Sequence, residues 1–203
     1  IVDESLVLER LKLALDDISS RINIPIKKAV ITIPAYNAEC TLVHGNVPIV
    51  NEEKMVTEKD ILRVQNSVVN DILPNMELVS VTPIDFTIYE NGSEIETLKD
   101  PKNKICDRLG IRAMMVCVPK TSVVSFAKVV EKSGVEVVDL VLSPIADFEE
   151  VKTEELESGM TAVINIGKTI TTVSMFNKGI ITNTSVLKIG SKIIDDDISY
   201  IYY

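Results

Sequence analysis

No stretch limits the fold of this chain more than Val163 to Gly179. Val163-Ile164-Asn165-Ile166 has the apolar, β-branched character of a buried strand, Gly167 turns it, and the run from Thr169 to Phe176 leaves as a second strand. Asn177-Lys178-Gly179 then opens another hairpin. Strands near Thr161–Ile166, Thr169–Phe176 and Ile180–Leu187 are joined by turns too short for a parallel crossover of about a dozen residues, so an antiparallel meander is expected. A glycine turn of this kind lets backbone N–H groups approach a phosphate, since no Cβ stands in the way. The candidate binding residues are Asn165, Gly167, Lys168, Thr169 and Thr171: Lys168 offers a positive charge or is a solvated turn residue, and the threonines offer hydroxyl groups or serve the strand through their β preference.

With 203 residues the chain can hold one large domain or two small ones, taking about 150 residues per domain. Its 46% hydrophobic and 25% charged residues are the balance of a folded protein. A formal charge of −9 removes the attraction on which nonspecific binding to nucleic acid or anionic membrane depends. Aromatics at 4%, with no Trp, leave little for base stacking. No apolar run reaches the ~20 residues needed to span a bilayer and no signal-peptide pattern opens the chain, so a cytosolic location is expected. Cys40, Cys106 and Cys117 form no C-x-x-C pair and read as reduced, partly buried thiols. There is no initiator Met, and the chain stops in what reads as the first turns of a helix, as a piece of a longer protein would.

Along the chain, Leu8, Leu11, Leu15, Ile18 and Ile22 recur at spacings of three and four and predict an amphipathic, core-facing helix over Ser5 to Arg21. Lys27 to Pro34 reads as a buried strand. Cys40 to His44 is extended, with Gly45-Asn46 expected to turn it into Val47-Pro48-Ile49-Val50. Thr57-Glu58-Lys59-Asp60 resembles a capping box and starts a helix expected to reach Ile72. Leu78 to Tyr89 is strand-like but broken by Pro83, and Asn91-Gly92 is a hairpin turn. After a polar loop from Asp100 to Leu109, strand Ile111–Val118, a helix from Pro119 to Ser133 and strand Val135–Leu142 read as a parallel unit with a right-handed crossover. Ser143-Pro144 opens a short helix through Glu150, Lys152 to Ser158 is a charged link, and a last helix follows Gly190. His44 stands alone, without a partner at ligand or nucleophile spacing. Asp195-Asp196-Asp197 reads as the acidic start of a helix rather than a metal cluster. No Ser-His-Asp set, Walker lysine loop or dinucleotide turn supports a hydrolase, P-loop or Rossmann enzyme.

Several motifs, in order, resemble the bacterial cell-division protein FtsA, an actin homologue. Gly45-Asn46-Val47-Pro48-Ile49 and Val56-Thr57-Glu58-Lys59-Asp60-Ile61 are similar to that family's Gly-x-Val-Pro-Ile and Val-Thr-x-x-Asp-Val. Val81 to Tyr89, Asp100-Pro101 ahead of Leu109 to Ala113, Val129 to Val137, Leu142 to Ala146, Glu154 to Met160 and Gly190 to Ser199 resemble later family segments. The similarity covers nearly the whole chain.

The resemblance implies an α/β fold of actin-like (ribonuclease H-like) lobes carrying an inserted small α/β subdomain of the 1C type. It divides the chain into 1–31, part of subdomain 1A; 32–99, the 1C-like insert; 100–158, a return to 1A; and 159–203, the start of subdomain 2A with a degenerate phosphate hairpin. It further implies a scaffold that links FtsZ filaments to the membrane, recruits divisome proteins and self-associates as a filament at the inner face of the cell membrane at the division site. Membrane contact would come only through a segment outside this chain. In the family an acid at position 165 helps hold hydrated Mg²⁺ with ATP. Asn165 lacks that charge, and Lys168 and Thr169 replace two glycines, which implies weak or lost ATP hydrolysis. The edge strand near Leu42 to Val50 and the helix Glu58 to Ile72 are expected to carry partner contacts. A PilM-like protein of type IV pilus assembly shares the implied fold. A working ATPase, such as an Hsp70-type nucleotide domain or a sugar kinase, is the reading the altered hairpin opposes.

Overall fold

The computed structural model describes residues 3–69 and 72–202. Helix α1 (Glu4–Ile22) starts where the Asp3 carboxylate accepts the Leu6 N–H at 2.9 Å and ends at Asn23, which takes the left-handed conformation. It lies on α3 (Lys120–Lys132), and Lys132 pairs with Glu4. Leu8, Leu11 and Leu15 are half-buried, while Ile18 and Ile22 of the same stripe stay exposed. The expected core-facing helix is therefore covered on one flank only.

Between these helices in sequence come β1 (Lys28–Ile33), β2 (Glu39–Pro48), α2 (Glu58–Ser67), β3 (Met76–Glu90), β4 (Ser93–Leu98) and β5 (Arg108–Pro119). Four of the strands form one antiparallel sheet in the order β2-β5-β3-β4. Helix α2 covers one face over Val47, Ile49, Phe86, Ile88, Leu109, Ile111 and Ala113. Its start is fixed by Asp60, whose carboxylate accepts from the Thr57 N–H at 3.0 Å and from the Thr57 hydroxyl at 2.6 Å. The helix ends at Ser67, short of the expected Ile72; positions 70 and 71 of that expectation lie outside the described residues.

Three expectations are corrected here. Gly45-Asn46 makes no turn, because β2 runs straight through it in register with β5, Gly45 opposite Ile111. The glycine is needed for close packing instead: a Cβ there would collide with Ser67 Oγ and come within 2.6 Å of Val68 Cγ1. Pro83 does not break β3; the chain absorbs it as an irregularity between Pro83 and Asp85 and continues to Glu90. The strand at Ile111–Val118 is no member of a parallel unit, since β5 is antiparallel to both β2 and β3. Buried on both faces, β5 carries the continuous apolar run that parallel strands usually show, and that run says nothing of direction.

The parallel pair is β1 with β6 (Glu136–Leu142), from Lys28 opposite Glu136 to Ile33 opposite Leu142. Gly134, at φ +90°, ends α3 and returns the chain to β6. Next come α4 (Ser143–Val151), with Pro144 in its first turn, and α5 (Glu154–Ser158), a short helix inside the stretch expected to be a charged link. The meander forms as expected from β7 (Met160–Ile166), β8 (Thr171–Asn177) and β9 (Ile180–Leu187), although β8 starts at Thr171 rather than Thr169. The chain closes with α6 (Lys192–Tyr202). One apolar cluster joins β1, β6, α3 and α4 to the meander, centred on the Phe148 and Phe176 rings stacked with centroids 4.3 Å apart.

Candidate functional site

The glycine turn at the tip of β7 and β8 packs against the start of α6. Gly167 donates its N–H to the Ile170 carbonyl at 2.9 Å, closing the turn. The Gly167 and Lys168 carbonyls accept the N–H groups of Ser191 and Lys192, each at 2.9 Å. Two backbones can approach this closely because residue 190 is glycine: a Cβ there would lie 2.5 Å from the Lys168 carbonyl oxygen and would strike that of Gly167.

The five candidate residues divide into two groups. Asn165, Gly167 and Thr171 direct their polar groups at the protein itself. The Asn165 amide donates to the Asp147 carboxylate on α4 at 2.8 Å, and the Thr171 hydroxyl donates to the Ile189 carbonyl at 2.8 Å. Lys168 and Thr169 instead line a cavity of about 240 Å³ with Lys188, Gly190, Lys192 and Asp196. Two of its lysines are engaged: Lys192 pairs with Asp196 at 2.6 Å, and the Lys188 ammonium stands 5.9 Å from the centre of the Tyr36 ring.

Mg-ATP beside such a turn is what the resemblance to FtsA implies, but the donor set does not match that group. Position 165 supplies a neutral amide already given to Asp147, and among the described residues no three His, Cys, Asp or Glu side chains gather as a cation site. Asp147 and Gly190 are parts of this arrangement that sequence reasoning did not single out as site residues. Asp147 carries no local signal, and Gly190 was legible only as a helix entry. His44 lies on β2 opposite Arg112, whose guanidinium is paired side-on with the Asp85 carboxylate.

Sheets and helices joined in this way define an actin-like chain with a small inserted α/β unit. Its fold is shared with the solved PilM–PilN type IV pilus biogenesis complex, at a TM-score of 0.56 and 15% identity over 97% of this chain and 52% of that one. In sequence it is similar to the cell division protein FtsA: 27% identical over 99% of this chain for that of Enterococcus faecalis and 28% over 98% for that of Bacillus subtilis. The chain spans 45% and 44% of the length of those two curated relatives. No protein-family model matches it. Among the described residues no helix is long and apolar enough to cross a membrane.

Proposed function

We propose that this chain is part of a cell-division scaffold of the FtsA type, one that links FtsZ filaments to the membrane and recruits other division proteins by docking rather than by ATP turnover. The observation that carries the reading is the similarity to FtsA along 99% of the chain. The small unit supports it, because its β2 is an edge strand and Leu42, Val50 and Leu62 are exposed along β2, the segment after it and α2. A partner strand or helix could use that edge. The proposed insert of 32–99 would then extend through β5, the strand on which β2 and β3 pair. Weak or lost ATP hydrolysis is part of the proposal, supported by the neutral Asn165 and its bond to Asp147. Localisation at the inner face of the cell membrane, self-association and a membrane anchor elsewhere in the protein belong to the same proposal.

A PilM-like role in pilus assembly is the second reading, favoured by the PilM–PilN structure alone. Affinity capture with the full natural protein separates the two. Recovery of FtsZ supports the division scaffold, and recovery of pilus inner-membrane components in its place overturns it.

A further inference from the structure

We infer that Asn165 does in this chain what a bridging divalent cation would do beside an acid at that position: its amide ties the meander to α4 through Asp147, so the joint between them is independent of metal. The two side chains come from elements far apart in sequence, β7 and α4, and meet at 2.8 Å. Asp147 immediately precedes Phe148, whose ring stacks on Phe176 of β8. The joint is therefore apolar inside and polar at its rim. An acid at 165 would set two carboxylates against each other at the rim, where they repel unless a cation stands between them. Among the described residues no Lys or Arg forms an ion pair with Asp147, and the side chain that hydrogen-bonds its half-exposed carboxylate is that of Asn165. The scaffolding role proposed above does not depend on this tie.

Thermal melts of the full natural protein in EDTA and in excess Mg²⁺ test the inference. Wild type is expected to melt at the same temperature in both, within about 1 °C. Asn165→Asp should melt roughly 3–6 °C lower in EDTA and recover in Mg²⁺. The exchange variant Asp147→Asn with Asn165→Asp restores one amide and one carboxylate, and should match wild type in both buffers. A Mg²⁺-dependent wild type, an Asn165→Asp chain that is unharmed in EDTA or not rescued by Mg²⁺, or an exchange variant that stays weakened would each overturn the inference. Should Asn165→Asp fail to fold, the exchange variant decides against Asp147→Ala: stability regained by the exchange supports the tie, and equal loss in both refutes it.

Discussion

Replacing Gly190 with alanine puts one methyl group where two backbones meet. Its φ lies outside the left-handed region, so alanine is allowed there and the whole effect is steric. The new Cβ would lie 2.5 Å from both the carbonyl carbon and the oxygen of Lys168, and backbone atoms cannot swing aside as a side chain can. Overpacking of this kind costs about 1–3 kcal/mol. Relief requires the turn and α6 to separate, which strains or breaks the Ser191 and Lys192 hydrogen bonds, worth about 0.5–1.5 kcal/mol each. A loss of about 3 kcal/mol, at roughly 2–4 °C per kcal/mol for a chain this size, lowers Tm by about 6–12 °C. Thermal unfolding followed by circular dichroism measures it, and hydrogen exchange should speed up at the Ser191 and Lys192 amides. Gly159→Ala is the control, because a Cβ there meets nothing within 4 Å. Should Gly190→Ala melt like the control, the close docking of the turn on α6 is wrong.

Gly45→Ala is expected to lose about 1–3 kcal/mol in urea unfolding, because its Cβ collides with Ser67 Oγ, itself held to the Val64 carbonyl at 2.7 Å; unchanged stability would contradict the packing of α2 on β2. Burial pushes the Asp60 carboxyl up, but the Thr57 hydroxyl and N–H and the Arg63 guanidinium outweigh burial and hold it below its ordinary value of 3.8. A depressed acid stabilises the fold above its unfolded value, so the stability gap between wild type and Asp60→Ala should be full above about pH 5 and should close as pH falls below 3.8 toward the folded value. A gap constant through acid in pH-dependent melts would refute it. Burial, with a smaller contribution from Cys117, pushes the Cys40 thiol from 9.0 up to about 11. Alkylation of Cys40 at pH 8 should therefore run on the order of 100-fold slower in the native chain than in urea; equal rates would count against its burial.

The parts legible in the sequence are those whose cause lies within a few residues. Asn91-Gly92 and Lys178-Gly179 both turn with positive φ at each residue, the backbone that their hairpins require. Thr57 and Asp60 meet because a capping box spans one helical turn. What failed depends on contacts between distant segments. Gly45 looks like a turn residue until α2 is seen lying on it, and β5 looks parallel until its partners are known. The five candidate residues come from the hairpin alone. Asp147 reaches Asn165 from 18 positions away and showed in no local pattern, while Gly190, which admits the turn carbonyls, showed only as a helix entry.

In the proposed scaffold the turn at Gly167 serves the fold and the protein works by docking. Calorimetric titration of Mg-ATP into the full natural protein, paired with a phosphate-release assay on the same sample, tests it most directly. No release of phosphate above the uncatalysed background is expected. Tight binding accompanied by steady turnover would contradict it.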